Sequence, residues 1–500
     1  MNTANKQITL VIALSLLVIW NIATLSISPI AWFDEGLYAS VAHSFWEHGT
    51  FEQPISPLFA NFRPNLSYGP VYFMVSSVFF SVGGFGLFQF RLIGLLAGMG
   101  IALIGVSTLR KMSVSLPLCL LFALLYMTDT QFISNSHSGR VDNLANAFLI
   151  GGIFYYLVAR QKQHILVGPL ILVSLAIGLA LLSTPRMVVF LLPMFVYPLI
   201  DLFQKRLRFK NVLALGGPAI ILYVFWIVFG FLGWDNFLAY YVEHKVHGEE
   251  TSFADVFMGP SLSKVPRTQY LLFATFVLST VLLYGRFKVS GLSRSVLTVC
   301  VINVAAYFFF LGSGPILTNF VLPYLYLAIV MFIWEVRTSA PSLSRGVVWL
   351  LLLFNIALFS VKTVVLLDTA HERNMRYSTE AIQQTIPPGA KVVGSPEYHY
   401  SSLFNKNDFQ LNIVGGSPQE RVSYHLSIFD TDYLIFTRRE VEEKSELLEL
   451  YLKAGSFEKI HDIRAIEKDK VGILKMIPWN KLGWTPSSSS YEGSIFKRIR

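Results

Sequence analysis

The chain has 500 residues, of which 53% are hydrophobic and only 14% are charged, and its formal net charge is +9. A soluble protein usually carries about 25% charged residues, so this composition excludes a string of soluble domains as well as a disordered or fibrous chain. The apolar residues fall in long uninterrupted blocks, which predicts a multi-pass membrane protein. Both cysteines, Cys119 and Cys300, lie inside apolar blocks, so we expect neither a disulfide framework nor a cysteine metal site.

The first apolar block, residues 8–27, is interpreted as an uncleaved membrane span because it is long and no small-residue cleavage pattern follows it. Later blocks predict further spanning helices. These blocks are residues 92–109, 114–128, 141–159, 165–183, 187–200, 212–231, 269–285, 294–311, 316–335 and 346–366. The fold class is therefore mainly α, a polytopic helical bundle with about eleven transmembrane helices.

The block 71–90 is apolar but is interrupted by Gly83, Gly84 and Gly86. Basic residues decide its placement, since cytoplasmic loops are enriched in Lys and Arg. One set of alternating loops holds 13 Lys and Arg and the other set holds five. The rich set lies in the cytoplasm with the N-terminus only if 71–90 does not cross. We therefore predict an outer juxtamembrane segment inside a large outer loop, residues 28–91.

The composition shifts after residue 366, where charge rises and the apolar runs shorten. The short apolar runs 390–394 and 433–436 predict strands, and residues 378–385 and 440–454 predict helices. We expect two domains, a transmembrane domain over 1–366 and a small extracytoplasmic α/β domain over 367–500. Residues 487–490 are a run of serines, typical of a flexible segment.

Acidic residues are scarce in this chain, so two adjacent acids in the first outer loop are informative. Asp34 begins a short amphipathic helix and shares a face with Tyr38, one turn later. Glu35 points about 100° away from Asp34, so the two carboxylates need not have the same role. The alternative interpretation is that Asp34 simply stabilises the helix start.

Three further motifs place polar side chains on the predicted outer side of the membrane. Arg140 and Asp142 begin the fourth span, and the alternative there is an ion pair that fixes a helix start. Arg186 follows the fifth span, where a guanidinium suits a phosphate, although it is also explained as an interface anchor. Tyr68, before Gly69 and Pro70, presents a hydroxyl, but the motif alone indicates only a turn.

The loop 232–268 contains His244 and His247 with acidic neighbours, but this spacing does not match the zinc hydrolase pattern. We therefore predict no metal ligands. The sequence also lacks the glycine-rich motifs that hold nucleotides, so ATP-driven transport and dinucleotide cofactors have no support.

Taken together, these motifs resemble the GT-C superfamily of membrane glycosyltransferases that use polyprenyl-phosphate sugars, and within it the group of bacterial protein O-mannosyltransferases and lipid A aminoarabinose transferases. The resemblance covers about residues 10–340. The matching residues are Asp34-Glu35 with Tyr38, Tyr68-Gly69-Pro70, Arg91, Arg140 with Asp142, Thr184-Pro185-Arg186 and Leu322-Pro323-Tyr324.

The chain also departs from the family pattern. Tyr68-Gly69-Pro70 stands where relatives usually have Lys-Pro-Pro or His-Pro-Pro, and Arg186 stands where many have Lys. Asn319-Phe320 precedes Leu322-Pro323 where relatives often carry an Arg-Tyr. A sugar other than mannose or aminoarabinose is compatible with these changes.

The resemblance implies one inverting displacement on the outer face of the membrane. A polyprenyl-phosphate sugar is the donor, and the hydroxyl of a lipid, glycan or protein is the acceptor. It implies that Asp34 is the general base and that Glu35 positions the acceptor. Arg140 and Arg186 are expected to contact the phosphate, with Tyr68 and Arg91 as weaker candidates and Asp142 orienting Arg140 or the donor. No cofactor other than the lipid-linked donor is expected, and two carboxylates alone do not indicate a divalent metal.

Two other functions stay open at this point. An oligosaccharide ligase would use the same outer geometry with a polyprenyl-diphosphate donor. A polytopic transporter would also have eleven or twelve spans, but the two halves of this sequence do not match and its notable charges lie at helix ends. The expected location is the plasma (inner) membrane, with a cytoplasmic N-terminus and an extracytoplasmic C-terminal domain.

Overall fold

A computed structural model describes residues 3–55, 68–162, 165–230, 233–238, 265–287, 289, 291–310, 315–412, 417–464 and 490–499. The first part of the bundle contains α1 (Thr3–Thr24), α2 (Phe33–His48), α3 (Val71–Gly83), α4 (Leu87–Lys111), α5 (Leu116–Thr128), α6 (Thr130–Ser136), α7 (Asp142–Ala159), α8 (Val167–Leu181), α9 (Leu192–Phe203) and α10 (Phe209–Gly230). It continues with α11 (Tyr270–Leu282), α12 (Gly291–Phe310), α13 (Leu322–Val336) and α14 (Pro341–Thr369). Short 3₁₀ turns lead into several of them, namely Pro185–Leu191, Arg267–Gln269 and Pro315–Phe320.

Each of the eleven predicted apolar blocks contains a helix, as the sequence predicts. Within the described ranges, eight helical stretches are long and apolar enough to cross a membrane, and the bent pair α5–α6 makes up to nine. The helices α8 and α13 are shorter, at 15 residues each. The multi-pass helical fold class is therefore confirmed.

The helices differ in how deeply they lie in the bundle, as α13 and α10 show. α13 is buried nearly all round and lies at the centre of the bundle. In contrast, only 6% of the most apolar stretch of α10 is buried inside the protein, so most of the side chains of this helix face outward, as expected for contact with lipid.

The segment 71–90 divides into two helices at its glycines. α3 has 13 residues, which corresponds to about 20 Å and is short of the ~30 Å hydrocarbon core. α3 ends at Gly83 and is followed by the C-cap Gly84, whose φ of 78° suits glycine, and α4 begins at Leu87. The span predicted over 92–109 thus begins five residues earlier, which places Arg91 in the second turn of a helix.

The α5–α6 pair is bent by 65° at Asp129. The carboxylate of Asp129 explains the break, because it accepts hydrogen bonds from Gln131 N at 2.7 Å, Gln269 Nε2 at 3.0 Å and Tyr326 Oη at 2.7 Å. These bonds cap the start of α6 and tie it to the centre of the bundle. The bent pair leads into the segment 137–141, which carries Arg140.

After α14 the chain forms a five-stranded sheet with strand order β2-β1-β3-β5-β4. The strands are β1 (Lys391–Gly394), β2 (Asp408–Leu411), β3 (Tyr433–Thr437), β4 (Phe457–Ile463) and β5 (Gly493–Arg498). β1 pairs in parallel with β2 and β3, whereas β5 is antiparallel to β3 and β4. The accompanying helices are α15 (Met375–Thr385), α16 (His399–Phe404), α17 (Pro418–Ser427), α18 (Arg438–Glu442) and α19 (Glu446–Gly455), with a 3₁₀ turn at Pro396–Tyr398. We call this part the sheet domain.

The predicted elements of the tail are present with shifted boundaries. The helix expected over 378–385 begins at Met375 and is capped by Asn374 instead of a Ser or Thr. The helix expected over 440–454 is broken in two, because Ser445 caps α19 by accepting from Leu448 N. Most of the serine run 487–490 lies outside the described residues, as do His244, His247 and their acidic neighbours.

Candidate active site

The candidate site lies at the end of the bundle where the first turn of α2, the start of α7 and the turn after α8 meet. Asp34 is in the first turn of α2, whose N-cap, Trp32, makes no side-chain cap bond. Asp142 is the first residue of α7. Both acids thus sit at helix N-termini, where the backbone dipoles favour negative charge. Arg186 follows in the 3₁₀ turn Pro185–Leu191.

Arg140 joins two of the predicted site acids in one ion-pair chain. Its NH1 donates to Asp34 Oδ2 at 2.7 Å, and its Nε donates to Asp142 Oδ2 at 2.7 Å. Arg186 NH1 lies 3.8 Å from Asp142 Oδ1 and extends the chain. The structure therefore brings together Asp34, Arg140, Asp142 and Arg186 from three separate regions of the sequence.

The four side chains differ in their access to solvent. Arg140 and Asp142 are nearly buried, whereas 30% of the Asp34 side chain and 38% of the Arg186 side chain are exposed. A molecule that approaches this end of the bundle therefore meets one carboxylate and one guanidinium, with a buried ion pair between them.

Glu35 and Arg91 lie apart from the ion-pair chain and form a second, fully buried ion pair. Arg91 Nε and NH2 donate to the two carboxylate oxygens of Glu35 at 2.7 and 2.8 Å, and neither side chain is exposed. Gly139 N donates a third hydrogen bond to Glu35, at 2.9 Å. Arg91 NH1 also donates to the carbonyl oxygens of Leu25 and Pro29. This placement favours a structural role and argues against Glu35 as a catalytic group and against Arg91 as a phosphate contact.

Aromatic rings line the space beside the ion-pair chain. The rings of Tyr38 and Tyr68 meet edge to face with centroids 5.0 Å apart, and Arg186 lies over the Tyr68 ring at 5.7 Å. Arg140 lies over the ring of Trp32 at 5.3 Å. Burial, Tyr68 and Asp34 raise the pKa of Tyr38 well above its ordinary value, so this hydroxyl keeps its proton and can donate it to an acceptor atom.

Gly69 explains how Tyr68 reaches Arg186. A Cβ at Gly69 would overlap the carbonyl oxygen of Leu182, and Val71 N donates to that same oxygen at 3.3 Å. The segment around Gly69 is therefore held directly against the end of α8, just before Arg186. This close approach requires glycine, which gives a physical reason for the departure Tyr68-Gly69-Pro70.

Several buried polar atoms in the site have no hydrogen-bond partner among the described residues. They are Asp142 Oδ1, Arg186 NH1 and Thr184 Oγ1. Buried polar groups are normally paired, so these three atoms, which lie beside the ion-pair chain, are candidates for contacts to a ligand. Thr184 was part of a sequence motif but was not singled out as a ligand contact, because an unpaired buried hydroxyl is visible only once its neighbours are known.

Three further residues near the site, His137, Asn319 and Tyr324, contact other parts of the bundle. His137 Nδ1 lies 3.1 Å from Ser28 O, and its Nε2 lies 2.9 Å from Asn21 Oδ1. Asn319 Nδ2 donates to Asn143 Oδ1, which ties the turn before α13 to α7. Tyr324 is buried within the bundle, with its ring centroid 6.2 Å from that of Phe154. Within the described ranges, no group of three or more His, Cys, Asp and Glu side chains could hold a metal ion.

The chain is similar to a known protein family and to solved structures. A family model described as "Dolichyl-phosphate-mannose-protein mannosyltransferase" matches residues 67–230. A search of curated proteins finds no significant match. The fold resembles the crystal structure of ArnT from Cupriavidus metallidurans bound to undecaprenyl phosphate, with a TM-score of 0.58, 11% identity, and 98% of each chain covered. It also resembles the apo structure of that protein, with a TM-score of 0.58, 13% identity, and coverage of 100% of this chain and 99% of the other.

The likeness to ArnT shows a common multi-pass helical fold, and the family model covers residues 67–230, about a third of the chain; both agree with the resemblance to GT-C membrane glycosyltransferases stated from the sequence. The likeness extends over the whole chain, including the small C-terminal sheet domain.

Proposed function

We propose that the protein transfers a sugar from a polyprenyl-phosphate donor to a hydroxyl acceptor, with inversion at the anomeric carbon. The reaction takes place at the end of the bundle that carries Asp34 and Arg186, which we assign to the outer face of the plasma (inner) membrane. On this assignment the N-terminus is cytoplasmic and the sheet domain is extracytoplasmic. The acceptor is a lipid, a glycan or a protein.

The observation that carries the proposal is the linked set of Asp34, Arg140, Asp142 and Arg186 with its unpaired atoms. Arg186 NH1, which is 3.8 Å from Asp142 Oδ1, and Thr184 Oγ1 have no hydrogen-bond partner among the described residues. The phosphodiester of a polyprenyl-phosphate sugar, and the phosphate monoester that leaves after transfer, both offer oxygens to these groups, and a guanidinium matches phosphate geometry in a bidentate manner. One structure of similar fold, ArnT, is bound to undecaprenyl phosphate, which supports the same donor chemistry here.

A phosphate in this site would change the partner of Arg140. The NH1 of Arg140 now donates to Asp34, while its Nε is held by Asp142. When a donor phosphate accepts from NH1, the Asp34 carboxylate is released and faces the acceptor. Asp142 keeps the guanidinium in place during the exchange, so donor binding itself frees the base.

The chemical step then needs one bond made and one bond broken. The acceptor hydroxyl oxygen attacks the anomeric carbon, and its proton passes to Asp34 as general base. The bond between the anomeric carbon and the phosphate oxygen breaks, and the electron pair leaves with the polyprenyl phosphate. Arg140 and Arg186 face the oxygen on which negative charge develops, and donors already in place stabilise this charge most effectively. Glu35 and Arg91 take no part in the transfer.

Donor turnover by purified protein tests the proposal. Wild-type protein in nanodiscs is given a panel of polyprenyl-phosphate monosaccharides with hydroxyl acceptors, and release of polyprenyl phosphate is measured. Asp34→Asn keeps the size of the side chain but removes the base, so turnover should fall by about 10²–10⁴-fold with unchanged thermal stability.

The matched control is Glu47→Gln on the same helix, because Glu47 is 45% exposed and contacts only His43 and His48 among the ion pairs found. This variant should turn over like the wild type. Near-normal turnover by Asp34→Asn would refute the assignment of the base. Turnover only with a polyprenyl-diphosphate glycan would replace the proposed donor by that of a ligase.

A further inference from the structure

The helix that carries Asp34 is held by the sheet domain as well as by the bundle. Phe33 and Leu37 of α2 pack against the apolar cluster that fills one face of the sheet. Between them, Gly36 approaches His399, such that a Cβ at this glycine would lie 3.6 Å from His399 Nδ1. Leu411 N, at the end of β2, donates to Ile55 O at 2.9 Å in the loop that follows α2. The first turn of α2 therefore lies between two parts of the molecule.

Tyr491 makes the contact closest to the beginning of α2. Its hydroxyl accepts a hydrogen bond from Ala31 N at 3.0 Å, one residue before the N-cap Trp32. The side chain of Tyr491 is 2% exposed and Ala31 is fully buried. Tyr491 N donates to Glu372 O at 3.0 Å, which fixes the backbone of the tyrosine to the segment after α14. Ala31 and Tyr491 are 460 residues apart in the chain.

Arg91, in α4 of the bundle, holds the same connection between α1 and α2. Its NH1 donates to Leu25 O at 2.9 Å and to Pro29 O at 2.7 Å. Glu35, the residue after Asp34, is fixed by Arg91 and Gly139. Since the N-cap Trp32 provides no side-chain cap, the orientation of the first turn of α2 depends on these outside contacts.

We propose that Tyr491 is a positioning residue for the transfer reaction: by accepting the Ala31 N–H it fixes the first turn of α2 and thereby the carboxylate of Asp34. The inference rests on the proposed function, in which Asp34 is the base. A displacement of about 1 Å at a reacting group can cost about 10²-fold in rate. If the first turn of α2 were less firmly held, kcat would therefore fall. The donor contacts, Arg140 and Arg186, lie on other elements, and donor binding should be largely kept.

Tyr491→Phe in the full-length protein tests this role, because it removes only the hydroxyl. The buried Ala31 N–H then loses its partner. We expect kcat to fall by about tenfold or more, with the donor KM changed by less than about twofold. Tyr451→Phe is the matched control, since this tyrosine is equally buried in the sheet domain and its hydroxyl contacts His425, away from α2. It should lower the Tm to a similar degree and leave kcat unchanged.

Three outcomes overturn the proposal. They are an unchanged kcat in Tyr491→Phe, an equal loss of kcat in Tyr451→Phe, and a rise in the donor KM of Tyr491→Phe as large as its loss of kcat. A second measurement uses Asp34→Asn as background. If Tyr491 acts through Asp34, adding Tyr491→Phe there lowers the residual single-turnover rate far less than in the wild type. A full additional loss would show a general structural effect and refute the coupling.

Rates are normalised to monodisperse protein. If Tyr491→Phe yields no monodisperse protein, Tyr398→Phe replaces it. The Tyr398 hydroxyl donates to Glu492 O at 3.0 Å and so holds the backbone next to Tyr491. The expected split between kcat and KM is the same, and its absence refutes the role. Failure of the proposed function is recognised separately, because the wild type itself would then release no polyprenyl phosphate from any donor.

Discussion

The adjacent acids Asp34 and Glu35 should respond to the same conservative change in opposite ways. Glu35→Gln keeps the shape of the side chain but removes the charge that faces Arg91. The carboxylate accepts two hydrogen bonds from Arg91 and one from Gly139 N, and the ion pair has no solvent exposure. An amide offers a single oxygen and turns an NH2 group toward the guanidinium. Arg91 is then left as a buried charge without a counter-ion.

The size of the effect follows from that burial. Removing one partner of a buried ion pair costs about 3–5 kcal/mol, because the remaining charge is uncompensated. A multi-pass protein does not unfold in two states, so the measurement is the apparent Tm in detergent. We expect Glu35→Gln to lower the Tm and the yield of monodisperse protein strongly, whereas Asp34→Asn keeps the wild-type Tm and loses turnover.

A double variant provides the control for this prediction. Replacing both Glu35 and Arg91 by apolar residues of similar volume should recover part of the Tm, since no unpaired charge remains. The recovery is partial because Leu25 O and Pro29 O also lose the donor that Arg91 provides. The reasoning is refuted if Glu35→Gln keeps the wild-type Tm and abolishes turnover, because Glu35 would then be the catalytic group that the sequence alone suggested.

Two further predictions concern Arg140 and Glu397. In Arg140→Lys a single ammonium cannot hold Asp34 and Asp142 in the geometry of the guanidinium. The donor KM in the turnover assay should therefore rise by about tenfold or more. An unchanged donor KM would contradict the phosphate contact. In the sheet domain, burial raises the pKa of the Glu397 carboxyl from 4.5 to about 7, so the folded state binds this proton more tightly than the unfolded chain. Stability from this group is complete below about pH 4.5 and is lost as the pH rises through 7, on the order of 2–3 kcal/mol. The apparent Tm should fall between pH 4.5 and 8 in the wild type and in the exposed control Glu449→Gln. If Glu397→Gln leaves the slope of Tm against pH unchanged, the assignment to Glu397 is contradicted.

The helical fold was predictable because long apolar runs have few alternatives in a membrane, where the backbone must pair internally. The boundaries depended on single side chains and were less predictable. The break between α5 and α6 is set by Asp129, whose partners Gln269 and Tyr326 come from much later in the chain. The early start of α4 at Leu87 follows from the bend at Gly84.

The candidate site was only partly predictable for the same reason. Helical geometry showed that Asp34 and Glu35 point in different directions, but not which of them faces the open site. The position of Arg91 in α4 determines which acid faces the site, because Arg91 pairs with Glu35 inside the protein and leaves Asp34 partly exposed. Local sequence held no indication of Tyr491, since its contact with Ala31 joins the two ends of the chain.

The two-sided support of α2 explains how so polar a site persists in so apolar a protein. Each charge in the site is stabilised only in a fixed geometry, since a buried ion pair that shifts loses its hydrogen bonds and keeps its desolvation cost. The bundle fixes Arg140 and Asp142 through α7, but α2 is short and does not belong to a long span. Arg91 of the bundle and Tyr491 of the sheet domain hold the connection that leads into it. In the proposed mechanism the sheet domain therefore acts on the site, although it contributes none of the four side chains of the ion-pair chain.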